Sequence, residues 1–487
     1  MSEQRMEVDV VIIGAGSAGL VARRAAKGVG ASVVLCDGGT LGTTCARVGC
    51  MPSKLLIAAA TSARAVRRAP QFGVLAEAPV IDGPAVMKRV QDERDRFTGF
   101  VLRGIEEIPE GEFLAQNVYF EAPGLMRAED GTEIRYKSAV IATGTKPFVP
   151  PPYTNLKDTL YTSDTIFDLE TVPKRLAVIG AGVIGLEIGQ AFAALNSQVT
   201  VLSIDESLSI LSDPDVYESY KAPLSKEVDL YLSSKTTGAE EKNGEAVLTW
   251  TTSSGEEKRG TFDVVLVAAG RQAGLKSLGL DKLGIDFDHP RDLNISKDRL
   301  QIPDHPIFAA GDVNGLRPLL HEATDEGRIA GENAARIALE GRKLGGCFER
   351  RASVAIAFTE PQTASAGLSF RDLEEGSYEV GEATFTNQGR SRVDLVNEGM
   401  IHVYGHKTDG RLLGFEMCGP SAEHVAHLLS WAIQQKLTVF DVLDMPFYHP
   451  VIEEGVRTSL QRLAKNLALG TNSRLRAKEC APTAVTD

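Results

Sequence analysis

Two short runs of apolar residues lie near the start of the chain and predict two buried β-strands. The first run, Val8 to Ile13, leads into the glycine-rich stretch GAGSAG at residues 14–19. A segment with helical character follows, and the second run, Ser32 to Leu35, comes after it. Strand, helix and strand in this order predict a βαβ unit with parallel strands.

The glycine-rich turn has the spacing of a dinucleotide-binding fingerprint. Gly14 would turn the chain, Gly16 would let a pyrophosphate approach, and Gly19 would pack the helix on the strand. The N-terminus of the helix attracts phosphate through its unpaired N–H groups. Asp37, 23 residues after Gly14, is placed to accept hydrogen bonds from a ribose. The alternative is an ordinary βαβ turn without a ligand.

The same pattern returns in RLAVIGAGVIGLEIGQAFAALNSQVTVLS. Its glycines are Gly180, Gly182 and Gly185, and its second strand is expected to end at Ser203, again 23 residues after the first glycine. Two such units predict two nucleotides with electrons passing between them. A flavin and a nicotinamide are the natural pair, because a flavin can exchange hydride and also react with thiols.

Other stretches have less specific patterns. Lys54 to Arg68 and Pro84 to Glu107 predict a helical hairpin. Lys235 to Gly260 is weakly patterned and predicts β-hairpins.

Composition narrows the class of protein. At 487 residues the chain is too long for one hydrophobic core, and about three domains are expected. The net charge of −13 argues against nucleic acid or an anionic membrane as a partner. The first apolar run is too short and too rich in glycine to span a bilayer, and no signal peptide is visible. We therefore expect a cytoplasmic protein.

Two of the six cysteines, Cys45 and Cys50, lie five positions apart. In the expected compartment, a close pair more often binds metal or does redox chemistry than forms a structural disulfide. Zinc needs four ligands, typically in two close pairs, and the other cysteines are dispersed. The sequence therefore predicts a redox pair and no metal site.

With these motifs in view, the chain resembles the pyridine nucleotide–disulfide oxidoreductase family over nearly its whole length. The motifs that carry the resemblance are GAGSAG (14–19), CARVGCMPSK (45–54), IATG (141–144), GAGVIGLE (180–187), AAGR (268–271), FAAGD (308–312) and HPVIEE (449–454). The resemblance implies an α/β fold with two Rossmann-like dinucleotide-binding domains and an α+β C-terminal dimerisation domain.

The resemblance also implies an order of domains along the chain. The expected ranges are 1–150 for the FAD-binding domain, 151–275 for the NAD(P)-binding domain, 276–350 for a central segment that completes the FAD domain, 351–470 for the dimerisation domain and 471–487 for a disordered tail.

Catalytic roles follow from the same resemblance. Cys45 matches the interchange thiol that exchanges with substrate, and Cys50 the sulfur that lies against the flavin. His449, with Glu454 five residues later, matches the base and the carboxylate that orients it. A histidine can take a thiol proton because it titrates near neutrality. In the family this histidine faces the disulfide of the other subunit, so a homodimer is implied.

Further cofactor residues are matched individually. Lys54 resembles the lysine near flavin N5, and Glu187 the glutamate that pairs with it. Asp312 matches the aspartate that holds the ribityl chain, and His321 lies at the helix start that meets the flavin pyrimidine. The remaining cofactor-binding positions, taken from the quoted motifs, are Thr143, Gly144 and Gly270.

Two positions depart from the family pattern. Arg47 stands where asparagine is usual, which places a cation beside the cysteine pair; it could lower a thiol pKa, recognise an acidic substrate or simply be solvated. Ser203 stands where an NAD-binding domain usually has an acid. The arginines that NADP needs are also missing after it, which favours NAD.

The motifs resemble dihydrolipoamide dehydrogenases most, partly because Val183 stands where glutathione reductases tend to have tyrosine. The expected partners are therefore FAD, NAD and dihydrolipoamide or another small dithiol or disulfide. Mercuric reductase and large thioredoxin reductases use a C-terminal cysteine pair, whereas this tail has only Cys480. The sequence also leaves open a glutathione reductase-like enzyme, a reductase of a different disulfide, a mercuric reductase-like enzyme and a non-catalytic flavin-binding protein.

Overall fold

The structure is a computed structural model and describes residues 5–469. The predicted tail 471–487, with Cys480, lies outside the described residues.

The described strands are β1 (Arg5–Ile13), β2 (Val33–Cys36), β3 (Phe113–Leu114), β4 (Val118–Ala122), β5 (Leu125–Ala128), β6 (Glu133–Ile141), β7 (Thr145–Pro147), β8 (Leu160–Thr162), β9 (Arg175–Ile179), β10 (Gln198–Leu202), β11 (Asp229–Tyr231), β12 (Lys235–Lys242), β13 (Glu245–Thr251), β14 (Glu257–Phe262), β15 (Val264–Val267), β16 (Arg271–Ala273), β17 (Ile307–Ala309), β18 (Val354–Ala357), β19 (Gln362–Gly367), β20 (Tyr378–Thr384), β21 (Met400–His406) and β22 (Leu412–Gly419).

The helices alternate with these strands in the first part of the chain, as expected for an α/β fold. They are α1 (Ser17–Val29), α2 (Thr44–Val48), α3 (Cys50–Arg68), α4 (Gly83–Glu106), α5 (Val183–Ala194), α6 (Pro214–Leu224), α7 (Leu320–Glu340), α8 (Gly389–Val393), α9 (Ala422–Gln434), α10 (Val439–Leu443) and α11 (Glu454–Leu467). The predicted α/β class is confirmed. So are the helical hairpin, formed by α3 and α4, and the β-hairpins of β12, β13 and β14.

The chain forms two compact units, and each unit is built from several separate segments of the chain. Unit 1 runs up to Lys174 and adds Ala239–Val247 and Thr261–Arg350. Unit 2 comprises Arg175–Gly238, Leu248–Gly260 and the chain from Arg351 onwards.

Unit 1 is built on a sheet whose strand order is β3-β2-β1-β6-β5-β4, with β17 also paired to β6. The central strands are parallel. Side chains alternate between two cores: Val10 and Ile12 lie in one, and Val11 and Ile13 in the other. A strand buried on both faces needs a continuous apolar run, which is what the sequence provides.

Helices α1 and α7 pack closely on one face of this sheet. A side chain at Gly327 would come within 2.3 Å of the Ala18 carbonyl oxygen, and one at Gly331 within 2.3 Å of the Ala22 carbonyl oxygen. The backbones of α1 and α7 are therefore in contact at Ala18 and Gly327 and at Ala22 and Gly331. This contact fixes the start of α7 beside the glycine turn that precedes α1.

Unit 2 contains two sheets. Strands β9, β10 and β11 are parallel, in the order β11-β10-β9. The second sheet is antiparallel, in the order β18-β19-β22-β21-β20, and its apolar core also takes in residues from α9 and α11. Helix α11 lies directly on β20, because a side chain at Gly381 would come within 2.2 Å of the Ser459 carbonyl oxygen.

Candidate active site

The glycine turn between β1 and α1 combines two tight contacts with one open position. Gly14 has φ of +104°, and a Cβ there would lie 2.4 Å from the Ala142 carbonyl oxygen. A Cβ on Gly19 would lie 1.8 Å from the Gly14 carbonyl oxygen. A Cβ on Gly16 would meet nothing within 4 Å. Gly16 therefore leaves space at the N-terminus of α1, where the helix dipole favours an anion.

Asp37 follows β2 and holds this turn in place. Its carboxylate accepts hydrogen bonds from the Ala15 N–H at 2.7 Å and from the Gly39 N–H at 2.8 Å. The side chain is partly exposed. A carboxylate has about four lone-pair directions, so these two bonds leave acceptor capacity for the ribose contact predicted from the sequence.

The carboxyl end of β6 adds two predicted cofactor residues to the same unit. Thr143 and Gly144 follow the strand, and Gly144 has φ of +60°. The Thr143 hydroxyl is buried and has no hydrogen-bond partner within residues 5–469. Buried polar atoms are rarely left unpaired, so this hydroxyl points to a bound group.

Asp312 begins a short 3-10 turn after β17, and its carboxylate lies near Thr145 and the positive charge of Arg271. The Thr145 hydroxyl lies 3.5 Å from its carboxylate, and Arg271 in turn donates to that hydroxyl at 2.8 Å. Burial raises the pKa of Asp312, while the positive charge of Arg271 opposes the rise. Sequence reasoning did not assign a role to Arg271 or Thr145, although AAGR was among the quoted motifs.

A buried ionic network fixes the turn that carries Asp312. The Glu326 side chain on α7 is fully buried and accepts from the Gly311 N–H and from the Asn314 side-chain amide, both at 2.7 Å. Arg350 donates to Glu326 at 2.6 Å and to Glu322 at 3.1 Å. The sequence offered no signal for this network, because its members are far apart along the chain.

Two other predicted cofactor positions also belong to unit 1. His321 is exposed in the first turn of α7, and its carbonyl oxygen accepts from the Thr324 hydroxyl. Gly270 lies between β15 and β16 with φ of +104°.

These residues of unit 1 fit an FAD molecule. The open position at Gly16 can receive the pyrophosphate, and Asp37 has acceptor capacity for the ribose. The unpaired Thr143 hydroxyl and the Asp312 carboxylate supply polar contacts further along the same sheet edge. A dinucleotide is bound at the carboxyl ends of parallel strands, and these residues follow β1, β2, β6 and β17.

The predicted redox cysteines lie side by side in unit 1. Cys45 is in the short helix α2 and Cys50 is the first residue of α3. The two side chains are present as thiols, and a hydrogen bond joins Cys45 to Cys50. Sharing a proton with Cys50, and then burial, raise the pKa of Cys45, whereas the Cys50 backbone N–H and the charge of Lys54 lower it.

The helix after the cysteine pair starts earlier than predicted. The expected start near Lys54 is wrong, because α3 begins at Cys50. Pro52 does not prevent this, since the first turn of a helix has no intrahelical partners for its N–H groups. Cys50 thus lies at the N-terminus of a helix of 19 residues, where the dipole stabilises a thiolate. Lys54 is one turn further along the same helix.

Arg47, the departure from the family pattern, is half-buried in α2. Its Nε atom is buried and has no hydrogen-bond partner in the described part of the chain. A fully solvated side chain would not bury this atom. The guanidinium therefore lies against the protein, two residues from Cys45.

The other described cysteines differ from this pair in environment. Cys36 and Cys418 are fully buried, and burial raises the pKa of both thiols, to about 12 for Cys36. Such thiols stay protonated and inert. Cys347 is exposed, and hydrogen bonding to Asp298 raises the pKa of its thiol.

His449 and Glu454 form the predicted pair, in unit 2. Nδ1 of His449 lies 2.9 Å and 3.1 Å from the two carboxylate oxygens of Glu454, which is the first residue of α11. The hydrogen bond to His449 lowers the pKa of Glu454. The His449 side chain is 78% exposed. The carboxylate binds Nδ1, so Nε2 is the nitrogen that can take up a proton.

The second glycine turn, between β9 and α5 in unit 2, repeats the first. Gly180 has φ of +109°, and a Cβ on Gly182 would meet nothing within 4 Å. Gly185 is buried within the first turn of α5. Glu187 is buried in the same helix and accepts a hydrogen bond from the Phe358 N–H at 2.8 Å. This turn fits the pyrophosphate of a second dinucleotide.

Ser203 directly follows β10, which ends at Leu202. Its side chain is buried, and its hydroxyl donates to the exposed Asp205 carboxylate at 3.4 Å. Asp205 also accepts from the Ser207 N–H at 3.0 Å. The carboxylate that the turn carries is therefore displaced by two residues from the position that is usual in NAD-binding domains.

No helix among residues 5–469 is both long enough and apolar enough to cross a membrane.

Comparison with known families gives two matches. Residues 8–327 match the pyridine nucleotide-disulphide oxidoreductase model, and residues 353–460 match the dimerisation domain of the same group. Together the two models span most of the chain.

Two relatives illustrate the range of activities. A dihydrolipoyl dehydrogenase from Geobacillus stearothermophilus is 29% identical, over 96% of this chain and 97% of its own length. A mercuric reductase from Shigella flexneri is 32% identical, over 94% of this chain and 81% of its own length.

Solved structures show the same fold. LpdA from Mycobacterium tuberculosis has a TM-score of 0.78 and 22% identity, covering 94% of this chain and 99% of that one. The HOCl-induced flavoprotein disulfide reductase RclA from Escherichia coli has a TM-score of 0.77 with the same identity and the same coverage of both chains.

Proposed function

This chain belongs to the pyridine nucleotide-disulphide oxidoreductase family, a family of FAD- and NAD(P)-binding flavoproteins, and we propose that it is a dihydrolipoyl dehydrogenase. In this reaction dihydrolipoamide is oxidised to lipoamide and NAD is reduced. The observation that carries the proposal is the contact between Cys45 and Cys50 in the same unit as the residues that fit FAD.

The position of the two cysteines supports a role in thiol–disulfide exchange. A disulfide between residues five positions apart closes a small loop, so it stabilises the fold little and is readily reduced. Cys50 at the N-terminus of α3 is the better leaving group, because the helix dipole stabilises its thiolate. Cys45 is then the sulfur that the substrate attacks.

His449 is proposed as the base that starts the exchange. It takes the proton from one substrate thiol, while Glu454 orients the ring through Nδ1. The substrate thiolate attacks the Cys45 sulfur of the oxidised pair, forms a mixed disulfide and releases Cys50 as a thiolate. The second substrate thiol loses its proton and attacks the substrate sulfur of that bond. Lipoamide leaves, and the cysteine pair has gained two electrons.

The cofactor assignments complete the proposal. An FAD held by these residues would supply the redox chemistry that links the cysteine pair to the nicotinamide. Gly14, Gly16 and Gly19 would hold the FAD pyrophosphate, and Asp312 would hold the ribityl chain. Lys54 is proposed as the lysine near the flavin ring, and the start of α7 at His321 would meet its pyrimidine end. Gly180, Gly182 and Gly185 cradle the pyrophosphate of the nicotinamide dinucleotide.

NAD is the proposed acceptor because of the charge after β10. An adenosine 2′-phosphate needs a cation, whereas the turn carries Asp205 beside Ser203. The Asp205 carboxylate would repel a phosphate and can accept hydrogen bonds from ribose hydroxyls. The ratio of kcat/KM for NAD to that for NADP is expected to fall in Asp205→Asn.

The choice of dihydrolipoamide rests on the relatives and on the cysteine count. Several relatives of 28–29% identity over 92–96% of this chain are dihydrolipoyl dehydrogenases. Mercuric reductase is the second candidate, because that relative is 32% identical. Delivery of mercury by a vicinal cysteine pair needs two neighbouring thiols, and residues 471–487 contain the single cysteine Cys480. The dimerisation domain supports a homodimer as the working form.

The test is an anaerobic assay of the flavin-loaded protein with dihydrolipoamide and NAD, followed by NADH absorbance. Cys45→Ser and His449→Gln are assayed beside the wild type. Rapid NADH formation that both substitutions reduce at least about 100-fold would support the relay, since a general base alone contributes 10²–10⁴-fold.

Two matched controls separate chemistry from fold. Cys347→Ser removes an exposed thiol of unit 1, and His424→Gln removes an exposed histidine of unit 2. Both should keep wild-type rates. If the wild type forms no NADH but NADH still reduces its flavin and cysteines, lipoamide is the wrong substrate and the disulfide reductase class stands. If Cys45→Ser keeps full activity, the relay itself is refuted.

A further inference from the structure

The segment between β10 and α6, residues 203–213, is attached to the C-terminal part of unit 2 at more than one point. It begins at Ser203, carries Asp205 and ends at Asp213, which is the N-cap of α6. We call this segment the β10–α6 loop. It starts at the carboxyl end of a parallel strand, where α/β sheets bind dinucleotides.

Glu416 on β22 holds the end of this loop. Its side chain is fully buried. One carboxylate oxygen accepts from the Ser212 N–H at 2.6 Å and from the Asp213 N–H at 2.9 Å. The other oxygen accepts from the Ser212 hydroxyl and from the Phe370 N–H, the latter at 2.8 Å. A buried carboxylate is costly unless it is hydrogen-bonded, and these four donors compensate the burial of Glu416.

The strand beside β22 holds the same end of the loop through the Asp213 side chain. His402 on β21 lies directly opposite Glu416 in the strand register. Nδ1 of His402 lies 2.8 Å from an Asp213 carboxylate oxygen, and the Tyr404 hydroxyl donates to that oxygen at 2.9 Å. The backbone and the side chain of Asp213 are therefore fixed by two neighbouring strands of the antiparallel sheet.

Ser209 attaches the middle of the loop on two sides. Its N–H donates to the carbonyl oxygen of Ala181, which lies between Gly180 and Gly182 of the second glycine turn, at 2.9 Å. Its hydroxyl lies 2.8 Å from the hydroxyl of Thr363, a fully buried residue of β19. Ser209 has φ of +57°, a conformation that residues other than glycine rarely adopt. These contacts hold it there.

Both attachments come from one sheet, in which β19 and β22 are neighbours. Thr363 and Glu416 lie within residues 353–460, which match the dimerisation domain, whereas the loop lies within residues 8–327, which match the oxidoreductase model. The C-terminal sheet of unit 2 therefore fixes a loop that belongs to the second dinucleotide fold.

We propose that Glu416 and Thr363 are positioning residues for the nicotinamide dinucleotide, because they hold the β10–α6 loop so that Asp205 stays beside the adenosine ribose. The inference rests on the dinucleotide assignment in the proposed function and is independent of the dithiol. A loop that is ordered before the ligand arrives costs nothing to order on binding. When the loop is released, fewer molecules are competent to bind, and the Kd rises in proportion.

The test measures binding of NAD and of NADP to the oxidised, flavin-loaded full chain by calorimetry, with no dithiol present. In Glu416→Gln the amide NH₂ faces a backbone N–H whichever way it turns, so the Kd for NAD should rise by about 10-fold. Thr363→Val removes one hydroxyl and should raise the Kd by about 2- to 10-fold. Thr363→Ser keeps the hydroxyl and should restore the wild-type Kd.

Glu382→Gln and Thr384→Val are the matched controls, because both residues are exposed on β20 of the same sheet. They should keep the wild-type Kd. Tm and flavin content are measured for every variant. A purely structural role would lower the Tm and leave the Kd well below that temperature unchanged, whereas a positioning role raises the Kd and leaves the flavin content unchanged.

A wild-type Kd in both Glu416→Gln and Thr363→Val would overturn the proposal, as would a wild-type protein that binds neither dinucleotide. If Glu416→Gln does not fold, Thr363→Val and its serine counterpart decide. A protein that binds NADP and not NAD would refute the acceptor chosen above, and the same variants must then lose affinity for NADP. Inactivity with dihydrolipoamide would refute the substrate and leave these binding results standing.

Discussion

Gly16 and Gly19 stand three residues apart in one turn but constrain the molecule differently. Gly19 is required by the fold itself, because any side chain would collide with the Gly14 carbonyl oxygen. Gly16 has open space around its Cα. The sequence alone cannot distinguish the two roles, since both are glycines of one motif.

Gly16→Ala is expected to leave the fold intact and to abolish tight flavin binding, because the added methyl group occupies the space of the pyrophosphate. Flavin content after gel filtration and the Tm of the apoprotein measure the two effects separately. Gly28→Ala is the control, since Gly28 is an exposed position of the same helix with nothing within 4 Å. Full flavin content in Gly16→Ala would refute the assigned phosphate site.

A second effect between individual residues is that Cys50 changes the protonation of Cys45. The hydrogen bond that the Cys45 thiol donates to Cys50 is the first cause of the raised pKa of Cys45. Cys50→Ala should therefore lower the pKa of Cys45 and move the pH midpoint of its alkylation by iodoacetamide to lower pH in the reduced protein. Cys347→Ala should leave the midpoint unchanged. A midpoint that stays in place in Cys50→Ala would show that the two thiols do not share a proton.

At the scale of elements, the turn between β17 and α7 depends on an ion pair. Glu326 of this pair lies on α7, whereas Arg350 lies outside both elements. Glu326 is fully buried and binds the turn through Gly311 and Asn314, and Arg350 balances its charge. A buried carboxylate without its partner is costly, so Arg350 is a structural requirement for the position of Asp312.

Arg350→Ala is expected to lower the free energy of unfolding by about 3–5 kcal/mol at neutral pH, measured by urea denaturation. Arg328→Ala is the control and should cost less than about 0.5 kcal/mol, because the Arg328–Glu332 pair is exposed.

The decrease in the free energy of unfolding caused by Arg350→Ala, called its deficit below, should also depend on pH. Burial raises the pKa of Glu326 above its ordinary value of 4.5, and Arg350 opposes the rise. A carboxyl with a raised pKa stabilises the fold below the unfolded pKa and loses this contribution as pH rises through the folded pKa. Removal of Arg350 raises the folded pKa further, so the deficit should shrink from pH 8 to pH 5. A deficit independent of pH would contradict this account.

At the scale of the whole molecule, the proposed relay needs groups from both compact units. Cys45 and Cys50 belong to unit 1, whereas His449 and Glu454 belong to unit 2. The family resemblance implies a homodimer in which the base comes from the second chain, and we propose this arrangement here. A dimer with twofold symmetry would then hold two equivalent shared sites.

A heterodimer of one Cys45→Ser chain and one His449→Gln chain tests this arrangement. Each homodimer should be inactive, whereas the heterodimer, isolated through two different affinity tags, keeps one complete site and should show about half of the wild-type rate. An inactive heterodimer would place both groups of each site in one chain.

The sequence by itself determined the local features of this protein. Apolar runs next to glycine motifs predicted β1, α1, β9 and α5, because strand burial and helix entry depend on neighbouring residues. The close cysteines indicated redox chemistry, and the family resemblance assigned His449 and Glu454 as the base and its orienting carboxylate. The boundary of α3 was predicted four residues late, since Pro52 hides a helix start that its first turn tolerates.

Only the tertiary structure decided which distant residues meet. Arg350 reaches Glu326 over 24 positions, Arg271 reaches Thr145 over 126, and His402 reaches Asp213 over 189. No periodicity or motif records such pairs, because their contact depends on how whole sheets and helices pack. The balance of charge at Asp312 is a consequence of that packing.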